Sequence, residues 1–309
     1  MKNKSLKGYL YALLGATFWG LSGTCASYLM NTRNIPPMEL STYRMLIAGS
    51  IMFLYILIKD GKEALKIFTN LKDTLVLFSF SIFGMASMQV TYLITISYTN
   101  AATATVLEYT GIVMIVVLVC VLEARLPFRS EGFSIVFAIL GTFFLATRGN
   151  IHTLVISNEG LFYGALSAIS LMIYTLAPPK LLKKYGTINI TALATFISGI
   201  MISFISKPKV PEEIDTMIIM AFIGLTFFGT IISYTLYFEG LAIIGPVKTS
   251  LIACVEPISA LLFSMALLGE KFVFMDFVGI MCILFAVAIL SLKDLVGKGK
   301  VYAKVEYKN

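Results

Sequence analysis

Four ionisable residues, Arg44, Glu108, Lys248 and Glu256, lie inside long apolar runs of this 309-residue chain. A charge in hydrocarbon costs about 2.5–3.5 kcal/mol on insertion scales, so each needs a partner, a wet cavity or a ligand. Glu108 shares a helical face with Ala101, Ala104, Thr105 and Gly111, at spacings of three and four. Small neighbours let a helix or a ligand approach closely. A carboxylate there suits an ammonium-bearing ligand, a coupling proton or an interhelical hydrogen bond. Glu256 precedes Pro257, which lacks an N–H and releases a carbonyl one turn back. Ligand or hinge chemistry and a satisfied packing kink are both open at that position. Arg44 suits a bidentate clamp on a substrate carboxylate, or a counter-charge for Glu108 or Glu39. Lys248 begins a run and is read as snorkelling to the interface. Trp19, the only tryptophan, falls in mid-run, and with Gln89 and Tyr92 it suits a mixed aromatic and polar cavity. Tyr11, Tyr43, Asn100, Tyr163 and Tyr234 are further candidates for that wall. The expected substrate-binding set is Trp19, Arg44, Gln89, Tyr92, Glu108 and Glu256.

Other chemistries are disfavoured. Cys25, Cys120, Cys254 and Cys282 each fall in an apolar run without metal-ligand or CxxC spacing, and read as small packing residues. His152 is the only histidine, which removes an HExxH zinc site and any histidine triad within the apolar runs. Gly297-Lys298-Gly299-Lys300 does not match a phosphate-binding loop, so an ion or substrate gradient must drive any transport. No cofactor, metal or enzymatic activity is expected.

The elements that must position these residues follow from composition. The chain is 58% hydrophobic and 13% charged, whereas a soluble domain carries about 25% charged residues. A helix of about 20 apolar residues crosses the hydrocarbon layer. Ten candidates result, at 8–30, 39–58, 74–97, 101–122, 130–147, 159–178, 188–206, 216–238, 246–268 and 272–292. The first is too long for a signal-peptide core, and Leu21-Ser22-Gly23-Thr24-Cys25 only approximates a lipoprotein box, so a retained span is expected. With the N-terminus inside, seventeen lysines and arginines fall on the cytoplasmic side and five on the other. Both termini are therefore expected in the cytoplasm. The net charge of +7 sits in short connections and tails, so no nucleic-acid partner is expected. The basic tail at 293–309 reads as an anchor near anionic lipid.

The runs also repeat. Gly8-Tyr9-Leu10-Tyr11 matches Gly160-Leu161-Phe162-Tyr163 at an offset of 152, and Gly49 matches Gly199 at 150. The run from Tyr98 to Thr105 lies against that from Ile244 to Ser250 at about 146, and Leu122-Glu123-Ala124-Arg125 against Leu268-Gly269-Glu270-Lys271 at the same offset. Arg44 has Ala194 as its counterpart, which argues against symmetric scaffolding. Two halves of five spans each must insert in opposite orientations, the plan of many secondary transporters. The expected units are residues 1–150, 151–292 and the tail.

At these positions the chain resembles the EamA type of the drug/metabolite transporter superfamily. The resemblance rests on Ala16-Thr17-Phe18-Trp19-Gly20, the Tyr98-Thr99-Asn100-Ala101-Ala102-Thr103-Ala104 run, and Glu256-Pro257 followed by Leu268-Gly269-Glu270-Lys271. Glu123-Ala124-Arg125 departs from the usual Gly-Glu-Arg, and residues 109–112 lack the Glu-Pro pair. The resemblance implies an all-α polytopic membrane protein of ten transmembrane helices in two inverted repeats, with a cavity walled by spans one to four and six to nine.

The resulting expectation is a plasma- or inner-membrane carrier exporting a small metabolite by alternating access. Amino acids or related zwitterions lead, because Arg44 and the glutamates together suit both of their charges. A coupling proton and uncoupled diffusion both stay open, as do monomer and homodimer. Efflux of hydrophobic cations is the rival transport reading, and a non-transporting membrane sensor or enzyme is the rival from another class.

Overall fold

A computed structural model describes residues 2–122, 124–150, 155–208, 215–244, 249, 252–253 and 255–296. Glu123, His152, Lys248, Cys254 and the basic tail beyond residue 296 lie outside the described residues. The helices are α1 (Lys2–Ser27), α2 (Pro37–Asp60), α3 (Leu71–Ser79), α4 (Ser87–Tyr98), α5 (Ala101–Leu122), α6 (Arg129–Thr147) and α7 (Asn158–Leu176). They continue as α8 (Pro179–Tyr185), α9 (Thr187–Ser206), α10 (Thr216–Ile223), α11 (Ser233–Ile244), α12 (Val255–Phe263) and α13 (Phe274–Val296). There is no strand among the described residues. Seven helical segments among them are long and apolar enough to cross a membrane, and Val255–Leu268 and Phe274–Ile289 are shorter apolar helices. The protein is thus an all-α polytopic membrane protein.

Local chemistry marks the helix ends. Pro37 at the first position opens α2, where a missing N–H costs nothing. Ser157 and Asp215 cap α7 and α10 by accepting the Gly160 and Ile218 N–H groups at 3.1 and 2.8 Å. Glu131 reaches back to the Phe128 N–H at 2.8 Å to open α6. Gly61 and Gly269 have positive φ and terminate α2 and the segment after α12.

Among the described residues four π-helical stretches interrupt this pattern, at Tyr28–Thr32, Phe80–Ala86, Gly224–Ile232 and Ser264–Leu268. No apolar periodicity signals them, because a π turn is one inserted residue in an otherwise helical run. They shift the hydrogen-bond ladder and release carbonyls, often at functional positions.

Helix packing is reciprocal. α1 packs on α11 with its preceding π stretch and on α12, while α7 packs on α4 with its preceding π stretch and on α5. α2 packs on α9, and α6 on α13. At the α2–α9 crossing a Cβ on Gly49 would lie 2.7 Å from the Phe196 backbone, and one on Gly199 would lie 2.7 Å from the Leu46 backbone. The two helices are antiparallel there and touch backbone to backbone, which only glycine permits. Thr42 Oγ1 and Ser206 Oγ close the same seam at 2.7 Å.

Overpacking a tight contact costs about 1–3 kcal/mol. Gly49→Val and Gly199→Val are each expected to lower the thermal unfolding midpoint in detergent by several degrees. Gly132→Val, where an added Cβ meets nothing within 4 Å, is the control and should leave it unchanged. Equal midpoints for all three would remove the crossing as a structural constraint.

Candidate functional site

The interior polar groups gather where α1, α2, α4, α5, α7, α11 and α12 face one another. Glu108 on α5 is 8% exposed and accepts a hydrogen bond from Ser167 Oγ of α7. That contact requires α5 and α7 to lie close, and a Cβ on Gly111, one turn along, would sit 2.3 Å from the Ala168 carbonyl oxygen. The small-residue face read around Glu108 is therefore a packing face. Glu256 on α12 accepts from Tyr109 Oη at 2.9 Å, and the same hydroxyl lies 3.0 Å from the Ala253 carbonyl oxygen. Both carboxyl groups thus hold a hydroxyl from another helix.

Arg44 on α2 is 4% exposed. Its donors go to Thr230 Oγ1 at 2.9 Å and the Gly229 carbonyl at 3.2 Å. The expected ion pair with Glu39 or Glu108 does not form among these contacts. Both acceptors lie in the π stretch Gly224–Ile232, where the shifted ladder leaves a carbonyl for the guanidinium.

Gln89 on α4 is 5% exposed, and its Oε1 is enclosed without a hydrogen-bond partner. A buried amide oxygen left unmade is expensive, and it is the acceptor a donor-bearing ligand would fill. Tyr92, on the same helix, is 8% exposed and pairs with Thr105 Oγ1 at 2.9 Å. Trp19 on α1 meets Tyr234 edge-on at 5.6 Å and Tyr237 at 4.7 Å between ring centroids. Tyr174 of α7 packs on Phe80 at 5.4 Å between ring centroids.

The structure places the six expected site residues on five helices, with Arg44, Gln89, Tyr92 and Glu108 buried and Trp19 and Glu256 half-buried. It moves others away. Asn100 caps α5 by accepting the Thr103 N–H at 2.8 Å. Tyr163 stacks on Tyr98 near helix ends, Lys7 lies over Tyr11, and Tyr43 packs edge-on against Phe222. Tyr109, Ser167, Tyr174, Thr230 and Tyr237 join these contacts without having stood out in the sequence. For Tyr109 a signal was available, since it lies 147 positions before Glu256, within one residue of the local repeat offset of about 146.

Two further features are distinct from this site. A cavity of about 410 Å³ between α5 and α6 is walled by Val117, Val121, Leu126 and Ile135. Val121 and Leu126 are exposed at the rim of the bundle, and Arg125 there is held by Glu131 at 2.7 and 3.2 Å. It has the character of a lipid-facing groove rather than a polar binding site. Glu270, beyond α12, accepts from Ser27 Oγ at 3.3 Å, while its Oε2 is enclosed without a partner. Partial burial raises its carboxyl above the ordinary 4.5, opposed by the Ser27 hydrogen bond.

The folded chain therefore holds the Glu270 proton to higher pH than the unfolded chain does. Stability is expected to fall as pH rises from about 4.5 through that raised value, because the unfolded carboxyl releases its proton first. Glu270→Gln should flatten this part of the profile of unfolding midpoint against pH between about pH 4 and 7. A slope the same as in the unsubstituted chain would assign the titration to another group.

Comparison with known proteins agrees with this architecture. The profile of the EamA-like transporter family matches residues 6–147 and again residues 158–292. An uncharacterized inner membrane transporter, YicL, of Salmonella typhimurium (strain LT2) is 36% identical over 287 residues, covering 93% of this chain and 95% of that protein. Uncharacterized transporters of Archaeoglobus fulgidus and, as YyaM, of Bacillus subtilis (strain 168) are 24% and 22% identical, covering 86% and 85% of this chain and 91% and 87% of their own lengths. A solved crystal structure shares the fold at a TM-score of 0.60 and 17% identity, over 94% of this chain and 98% of its own. The chain belongs to the EamA-like transporter family, within the drug/metabolite transporter superfamily, and is a multi-pass membrane transporter rather than an enzyme.

Proposed function

We propose that this transporter exports a small amphipathic metabolite, an amino acid or related zwitterion, by alternating access. The observation that carries the reading is the composition of the interior: two carboxylates, one guanidinium and the unpartnered Gln89 Oε1, with Trp19 and tyrosines beside them. Carboxylates and an amide oxygen receive an ammonium group, Arg44 complements a carboxylate, and the aromatic rings receive an apolar side chain. The same carboxylates are the groups available to a coupling proton. A second reading, efflux of hydrophobic cations, is favoured by the Trp19–Tyr234–Tyr237 cluster beside two acids.

Alternating access requires two halves that can rock about an axis, and residues expected to be repeat mates make matching contacts. Gly49 lies against the Phe196 backbone and Gly199 against the Leu46 backbone at the α2–α9 crossing, and Tyr109 bonds Glu256 at an offset of 147. Gly8 abuts Ile243 and Ile244, while Gly160 abuts Tyr98 and Thr99. Contacts of this kind are expected beside a two-fold axis lying in the membrane plane. They support ten spans in two inverted repeats, residues 1–150 and 151–292, with an axis near the bilayer centre. The lysine and arginine asymmetry supports cytoplasmic termini, with Asn150 outside a plasma or inner membrane.

Purified protein in proteoliposomes is expected to support counterflow of one or a few labelled amino acids, and a pH gradient will show whether a proton is coupled. Glu108→Gln should weaken cargo affinity about tenfold to hundredfold, the worth of one charge-assisted hydrogen bond, with Trp19→Ala changing affinity more than expression. Exchange of lipophilic cations with no exchange of amino acids would replace the first reading by the second. A cysteine at Asn150 should react with an impermeant maleimide on intact cells; reaction only after permeabilisation would invert the topology.

A further inference from the structure

Two ion pairs outside the central site have matching construction. Arg33, in the connection between α1 and α2, pairs with Asp215 at the N-cap of α10. Lys184, at the end of α8, pairs with Asp73 in the first turn of α3 at 2.6 Å. Each cation lies over a neighbouring tyrosine ring, Arg33 over Tyr28 at 5.5 Å and Lys184 over Tyr185 at 5.0 Å. Each tyrosine hydroxyl also enters the network: Tyr28 Oη accepts from Arg33 Nε at 2.7 Å, and Tyr185 Oη donates to Asp73 Oδ2 at 2.7 Å. Both pairs join one half of the chain to the other.

They lie at opposite ends of the bundle. α2 has 24 residues and is about 36 Å long, with Arg33 before its start. α9 runs antiparallel to α2, since Thr42 near the start of α2 meets Ser206 at the end of α9. Lys184, just before α9, therefore lies at the far end of α2, and Asp215, after α9, lies at the near end. The packing partners follow the same exchange: α10 and α11 belong with α1, and α4 with the π stretch before it belongs with α7.

We infer that the two pairs are alternating latches, Arg33–Asp215 holding one membrane face closed and Lys184–Asp73 the other, so that each half-cycle opens one while the second stays made. The inference rests on the alternating-access reading. Its physical requirement is a weak bond, and exposed pairs are weak: median values near 0–1 kcal/mol mean a shift of about fivefold or less in a two-state equilibrium. A buried pair would lock the carrier. A pair of this strength biases it, and breaking one is an event of ordinary thermal size. The ring beneath each cation holds it near its aspartate without desolvating it.

Asp215→Asn and Asp73→Asn test this directly, because asparagine still caps α10 and still accepts from Tyr185. In a cysteine-free background, one reporter cysteine replaces Ser27 at the Arg33 end and another replaces Ala177 at the Lys184 end. Asp215→Asn should raise maleimide labelling of the Ser27 reporter and lower that of the Ala177 reporter, each by about twofold to fivefold. Asp73→Asn should do the reverse. The exchange of charges, Arg33→Asp with Asp215→Arg, should return the ratio toward that of the unsubstituted chain. Parallel changes at both reporters, or none, would make the pairs static rivets and overturn the inference. Labelling needs no substrate, so counterflow with unshifted labelling defeats the latches alone. Absent counterflow with opposite shifts leaves the latches standing and defeats the cargo reading.

Discussion

Helices in a lipid environment gain little from burying apolar surface against one another, because the surroundings are equally apolar. Association then depends on close backbone approach and on hydrogen bonds between helices. The α2–α9 crossing supplies both. Gly49 and Gly199 allow contact at backbone distance, and the neighbouring polar residues are thereby aimed at the interior. Arg44, just before Gly49, reaches the π stretch Gly224–Ile232. Ser198, beside Gly199, donates at 2.7 Å to the Ser81 carbonyl in the π stretch Phe80–Ala86. One crossing thus sets two matching attachments between the halves.

The interior hydrogen bonds share a property that matters for transport. Ser167 to Glu108, Tyr109 to Glu256 and Arg44 to Thr230 each join a residue before position 150 to one after it. A relative rotation of the halves alters all three together. In the proposed function, a ligand that occupied the carboxylates or Arg44 would compete with these same bonds, which would couple occupancy to the relation between the halves. The π stretches make this affordable, since a released carbonyl satisfies Arg44 without a second buried charge.

The outer edge of the bundle is built differently. Arg148 at the end of α6 forks onto Asp276 in the first turn of α13 at 3.1 and 3.2 Å, and Arg125 forks onto Glu131, which is 1% exposed. Bidentate pairs of this type are geometrically specific and strong. Gly141 and Gly279 bring α6 and α13 together, a Cβ on either falling within 3 Å of the other's carbonyl oxygen. These contacts brace the two peripheral helices and contain none of the six candidate ligand residues.

Several levels of this protein were legible without coordinates. Membrane insertion follows from the length and apolarity of each run, which are properties of the chain itself. Gly49 and Gly199, matched at an offset of 150 in the sequence, each lie against the backbone of the other helix, a contact that tolerates only glycine. Glu108, Glu256 and Arg44 stood out because a charge in an apolar run is costly wherever its partner lies. Which partner each one finds was decided by tertiary structure alone. Arg44 turned to a backbone carbonyl instead of a carboxylate, Tyr109 joined Glu256 across the interior, and Asp73 and Asp215 found cations from the opposite half. Those outcomes depend on helix rotation and on π turns that shift register by one residue. Neither leaves a periodic trace in a run that is apolar on nearly every face.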